Sequence, residues 1–174
     1  MKEHEILEQA NAAKREFGTK CSKYVGAVTV ELLRRALQEH GINTSPSDVF
    51  IKGVAVEIDL LIPKAEVEPQ DGLLYQPEDV LFALEVKNRG AFGDKALSGI
   101  RRNFQEIRRS NQEIRCLYVT LSERTGYKWA ATEDKIDGLV YTLFWNSGPE
   151  KNLRYESSDD WQRLINEITS ALVL

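Results

Sequence analysis

Apolar positions along the chain follow two periods, and the switches between them divide it into alternating helical and extended stretches. A first helix is expected over about Lys2 to Phe17 and a second over about Ser22 to His40, with Gly18 as the break between them. In the second, Val25, Val28, Leu32 and Ala36, flanked by Val30, Leu33 and Leu37, give a broad apolar face at helical spacing. Gly41 then stands where a C-terminal cap belongs. From Asp48 to Ile62 the residues are rich in β-formers, as one bent strand or a hairpin, with Gly53 allowing a turn or bulge. Pro63 stops that run, and Lys64 to Asp79, with Pro69, Gly72 and Pro77, reads as a long connection.

A buried strand is expected from Val80 to Val86, ending abruptly in the polar group Lys87, Asn88, Arg89, Gly90. Next come a helix from about Asp94 to Asn111, a strand from Ile114 to Leu121, a short helix around Lys128 to Lys135 and a strand from Gly138 to Phe144. The last stretch, Ser158 to Leu172, places Asp159 and Asp160 in a first helical turn and repeats Trp161, Leu164, Ile165, Ile168 and Leu172 at helical spacing, the pattern of a packing helix. Strands separated by helices, without an internal repeat, predict an α/β fold with helices on both faces of a mixed sheet.

A length of 174 residues suits one domain with a core that needs no staple. No apolar run approaches bilayer-spanning length, and Met1 to Gln9 are acidic and helical where a secretory signal would be basic and then apolar, which points to the cytoplasm and no membrane partner. Cys21 and Cys116 are too few and too far apart for a disulfide framework or a zinc site, and both are expected to be buried packing residues. A formal charge of −4 argues mildly against tight nonspecific binding of nucleic acid. The average hides a segregation, because Arg101, Arg102, Arg108, Arg109 and Arg115 lie close together while acids gather between Glu57 and Glu85. An acidic metal site beside a basic helix that meets phosphate would have this pattern.

Alternate residues of a strand share a face, so Glu85 and Lys87 project together, and Glu57 and Asp59 show the same spacing in an otherwise apolar run. If the two strands pair, Asp59 comes near Glu85. Two facing carboxylates suit Mg²⁺, which takes oxygen ligands, and a neighbouring lysine can orient a nucleophile or offset charge growing on phosphorus.

Asp59 followed by Glu85, Val86 and Lys87 resembles the Asp, then Glu-x-Lys signature of the PD-(D/E)XK nuclease superfamily, with VEIDLLI (Val56 to Ile62) and FALEVKN (Phe82 to Asn88) similar to its two central strands. The resemblance covers about Ser22 to Leu121, leaving the helix 2–17 and the strand and helix of 138–172 as additions. It implies a restriction-endonuclease-like fold, a central mixed sheet of about four to five strands flanked by helices on both faces. It also implies a Mg²⁺-dependent endonuclease, with Mn²⁺ able to substitute, acting on nucleic acid: DNA foremost, RNA as an open alternative, in a defence, repair or mobile-element setting. Asp59, Glu85 and Lys87 would be catalytic; Asp59, Glu85, the carbonyl of Val86 and Glu31 on the preceding helix would be metal ligands. Glu57 could replace Glu31 or simply point away, and Arg101 and Gln105 could touch the substrate backbone. The sequence departs from the signature at Ile58, where proline is usual, and in the long interval between Asp59 and Glu85.

Each feature also has a plainer reading. A Glu-x-Lys at a strand end is ordinarily a surface ion pair, and the arginines can be the solvated face of a helix buried through Ile100, Phe104 and Ile107. His4 and His40 have no acid or cysteine at ligand spacing, while Tyr127, Trp129 and Trp145 suit packing better than base stacking. No nucleophile elbow or P-loop occurs. Two other classes stay open: a catalytically silent nucleic-acid-binding module, and an assembly subunit docking a second chain through Trp161 and its helical partners, a homodimer being compatible with either this or the nuclease.

Overall fold

The computed structural model describes residues 3–17, 21–65, 67–89, 93–124, 130–148 and 154–173. Helices α1 (Glu3–Phe17) and α2 (Ser22–Glu39) lead into strands β1 (Phe50–Ile51), β2 (Leu60–Pro63), β3 (Leu74–Tyr75) and β4 (Val80–Arg89). Then follow α3 (Asp94–Ser110), β5 (Arg115–Arg124), α4 (Ala130–Ile136), β6 (Leu139–Ser147), β7 (Arg154–Ser157) and α5 (Asp160–Leu172). Tyr127 and Trp129, and the start of the helix expected from Lys128, lie outside the described residues.

The main sheet has the order β2-β4-β5-β6-β7, antiparallel at both outer pairs and parallel in the middle. The parallel pairs are joined by α3 and α4, the helical crossovers such pairs require. Side chains alternate across the sheet, so Phe82, Leu84 and Val86 of β4 pack with α1, α2 and α5, whereas Ala83 packs with α3. The second layer is closed by Leu97, Ile100, Phe104 and Ile107, the buried stripe of α3. Trp161, Leu164, Ile165 and Ile168 of α5 are buried in the first layer, so the docking face considered for a second chain is used inside this one. Asp160 fastens the helix to the sheet by accepting the Thr142 N–H at 2.9 Å, and Ser158 Oγ donates to the Thr142 carbonyl.

Several sequence expectations need correction. The run from Asp48 to Ile62 is neither one strand nor a regular hairpin: β1 is short and pairs in parallel with β3, and a single bridge joins Val49 to Ile58. Gly53, at φ +82°, turns the chain there, as anticipated. β3 and a short 3₁₀ turn, Pro77–Asp79, occupy what looked like an unstructured connection. β4 does not end at Val86 but continues through Arg89, because β5 pairs with it as far as Ser122. Cys21 is exposed, and Cys116 alone is the buried packing residue. β7 was not anticipated, since its residues are mostly exposed and carry no alternation.

Candidate active site

The site forms where β2 stops short of β4. Leu60 lies opposite Leu84, so the chain leaves the sheet at Asp59, and Val86 to Arg89 continue along an edge that β2 does not cover. On that edge the Val86 N–H donates to Asp59 Oδ2 at 2.7 Å, so the carboxylate takes the place of a missing strand partner. The N–H and C=O of one strand residue share an edge, which leaves the Val86 carbonyl facing the same side.

Lys87 Nζ sits 2.6 Å from Glu85 Oε1 and 3.5 Å from Asp59 Oδ2. Glu85 and Lys87 share the α3 face, as their spacing requires, and the antiparallel register brings Asp59 beside them. Burial pushes the Glu85 carboxyl up, the Asp59 charge pushes it further, and Lys87 only partly offsets both. Burial alone would pull Lys87 down, but the Glu85 and Asp59 carboxylates outweigh it and hold the ammonium above its ordinary value. Lys87 is therefore a cation here, shared by two carboxylates.

Asp59, Val86, Lys87, Asn88 and Arg89 line one part of a cleft of about 750 Å³. Asp48 and Glu57 border it from the segment leading into β2, and α1 and the first turns of α2 close the other side. Asn88 is tied across the cleft floor, its Nδ2 donating to Thr29 Oγ1 at 3.3 Å, while Thr29 Oγ1 donates to Val25 O at 2.8 Å. Asp48, at φ +58°, accommodates the left-handed backbone that acidic side chains tolerate better than most.

The site residues named from sequence thus separate into two groups. Asp59, Glu85, Val86 and Lys87 are brought together. Glu31 is not: its carboxylate is held by Arg34, with contacts at 2.7 and 2.9 Å, and by Arg35 at 2.7 Å, and it does not line the cleft. Glu57 reaches the cleft margin from irregular backbone rather than from a strand. Arg101 and Gln105 stand exposed on α3, outside the cleft lining. Of the other arginines, Arg108 pairs with Asp137, Arg109 with Glu106 and Arg115 with Glu167, so much of the expected basic face is neutralised. Sequence reasoning missed Lys14, Lys23 and Asp48 as cleft residues, because nothing local marks residues that converge from separate elements.

The hydrogen bond from Arg34, opposed by burial and aided by Arg35, lowers the Glu31 pKa from 4.5 to about 2. The pairing therefore stabilises the fold above pH 4.5 and fades as pH falls toward about 2. Because the Glu31 side chain is 34% exposed, Glu31→Gln should cost no more than about 1 kcal/mol at pH 7. Urea midpoints for both proteins at pH 7 and pH 3 measure this; a difference that does not shrink at pH 3 would count against the pairing.

The residues fit a hard divalent cation. Asp59 and Glu85 already converge on one positive charge, the Lys87 ammonium, and Mg²⁺ characteristically takes one or two carboxylates with other oxygens. Among the described residues no group of three or more His, Cys, Asp or Glu side chains comes together, so such an ion would rest on Asp59, Glu85 and the Val86 carbonyl.

A five-stranded mixed sheet flanked by helices, with paired carboxylates and a lysine where β2 leaves β4, defines a restriction-endonuclease-like fold. Solved structures with this architecture include the cAAA-bound form of NucC from P. aeruginosa ATCC27853, at TM-score 0.68 and 11% identity over 96% of this chain and 87% of that one. The cAAA-bound form of NucC from E. coli MS115-1 gives TM-score 0.65 and 12% identity over 96% and 86%, and its apo form gives 0.56 and 12% over 95% and 90%. No family model and no curated protein matches the chain in sequence.

Proposed function

We propose that this chain is a metal-dependent nuclease of the PD-(D/E)XK type that hydrolyses phosphodiester bonds, with DNA as substrate and a defence, repair or mobile-element setting. The observation that carries this reading is the contact of Lys87 Nζ with both Glu85 and Asp59, where Asp59 and Lys87 line the cleft. Asp59, Glu85 and the Val86 carbonyl would hold Mg²⁺, with Mn²⁺ able to replace it. When bound, the ion would stabilise the charge that builds on the phosphoryl group.

The chain's own residues supply the rest. The Val86 N–H fixes the orientation of Asp59 through Oδ2, the same oxygen that lies 3.5 Å from Lys87 Nζ. With the carboxylates holding a metal, the Lys87 ammonium would be available to a phosphate oxygen or to an attacking water, where a fixed positive charge would favour the pentavalent transition state over the ground state. Similarity to the NucC structures supports the fold on which this reading rests.

The test is a cleavage assay of the purified protein on supercoiled plasmid, linear duplex, single-stranded DNA and RNA with Mg²⁺, Mn²⁺ or chelator. Nicking of closed plasmid that needs a divalent ion is the expected outcome. No cutting of any substrate, with no Mn²⁺ bound in calorimetry, would transfer support to the catalytically silent binding module.

A further inference from the structure

The cleft carries both signs of charge. Asp48, Glu57 and Asp59 line it from the chain leading into β2, and Lys14 of α1, Lys23 of α2 and Lys87 and Arg89 of β4 line it as well. Of the acidic residues, Asp59 belongs to the hydrolytic site. Lys14, Lys23 and Arg89 have no role in that chemistry, and they come from three elements that only the fold brings together.

The helix floor of the cleft adds an independent observation. Gly26 lies inside α2, where glycine costs roughly 0.5–1 kcal/mol relative to alanine. A Cβ built at Gly26 would meet nothing within 4 Å, so no packing contact in the fold calls for glycine there. Its neighbours on the floor, Ser22 and Ala27, are small as well. A helix interior that gives up propensity beside an open, cation-lined space is suited to the close approach of a bound chain to its backbone.

We infer that the cleft binds the sugar-phosphate backbone of the strand to be cut, with Lys23 and Arg89 meeting its phosphates and Gly26 giving clearance over α2. This rests on the reading of Asp59, Glu85 and Lys87 as the hydrolytic site and adds the path of the substrate. A cleft of about 750 Å³ is large enough to take a short run of one strand of the substrate. Substrate strand then runs over α2, on the opposite layer from the exposed α3 residues Lys95 and Arg102.

The experiment is fluorescence anisotropy of a labelled single-stranded DNA oligonucleotide with the full chain in chelator, where metal-dependent cleavage cannot interfere, across a series of salt concentrations. Lys23→Glu combined with Arg89→Glu should weaken binding by about tenfold or more and lower the slope of log K against log salt by about 1.4, since each phosphate contact on a single strand contributes about 0.7. Gly26→Leu should raise the thermal midpoint, by removing glycine from a helix, and still weaken binding; a purely structural glycine would not separate the two readouts. Lys95→Glu with Arg102→Glu on α3 should stay within about threefold of the parent. Unchanged affinity and salt slope in the Lys23→Glu, Arg89→Glu protein overturn the inference, as does a loss confined to the α3 variant. If plasmid is cut in Mg²⁺ while the cleft variants bind normally, the substrate path alone is wrong. If the parent neither binds nor cuts, the nuclease reading falls with it.

Discussion

Lys87→Met is expected to reduce DNA cleavage by about 10²–10⁴-fold while leaving divalent-ion binding intact or tighter. The substitution keeps an unbranched side chain of similar reach and removes only the charge. In the parent, the ammonium lies between Glu85 and Asp59 and competes for the oxygens that a metal would need. Without it, two carboxylates face each other in a partly buried setting that already pushes Glu85 up, and a divalent ion becomes the best available counter-charge. Asp59→Asn should behave differently, losing metal binding and cleavage together. Calorimetry with Mn²⁺ beside single-turnover cleavage separates the two. Parent-like cleavage by Lys87→Met would remove the lysine from the chemistry, and loss of Mn²⁺ binding in that variant would reduce it to a structural ion pair.

Gly138→Ala should destabilise the fold by about 1–3 kcal/mol, although the new side chain is a single methyl group. Gly138 follows Asp137, at φ +57°, in the turn from α4 into β6. A Cβ there would lie 2.7 Å from Phe104 Cε2, 2.9 Å from Phe104 Cδ2 and 2.9 Å from the Cys116 carbonyl oxygen. The carbonyl belongs to β5, whose register with β4 places Cys116 opposite Ala83, so it can yield little. The Phe104 ring, only 2% exposed, must move instead, and Phe104 lines the same small void as Glu85. A strain at Phe104 is thus transmitted toward β4, which carries Glu85. Thermal unfolding should show a drop of roughly 2–4 °C per kcal/mol for a chain of this size. Phe104→Leu relieves part of the clash, so its cost should be smaller in the Gly138→Ala background than in the parent. Strictly additive effects of the two changes would contradict this account of the glycine.

These two sites differ in how far they could be read from the amino-acid order. Periodicity located α2, α3, β5, β6 and α5 to within a few residues, because each buries one face and burial enforces spacing. The pairing of Glu85 with Lys87 was also local, since residues two apart on a strand must share a face. Asp59 could be placed beside them only on the condition that the two strands pair, as β2 and β4 do. Glu31 shows the limit of that reasoning. The family resemblance put it at the site from the preceding helix, but Arg34 and Arg35, one turn on, hold its carboxylate.

What periodicity could not reveal is set by contacts between elements distant in sequence. β1 and β3 are short, and their parallel pairing depends on where the intervening chain folds back. The length of β4 past Val86 is decided by β5, which supplies hydrogen bonds beyond the apolar run. The cleft needs α1, α2, the segment before β2 and the end of β4 at once, so Lys14, Lys23 and Arg89 carry no local mark of belonging together. By itself the sequence determined the helices, most of the central strands and the pairing of Glu85 with Lys87, because each follows from local geometry and burial, while Asp59 joins them only through the pairing of β2 with β4. Only the tertiary structure decided which side of the sheet the cleft opens on and which cations border it, because those depend on side chains meeting across the fold, where sequence distance gives no measure of separation in space.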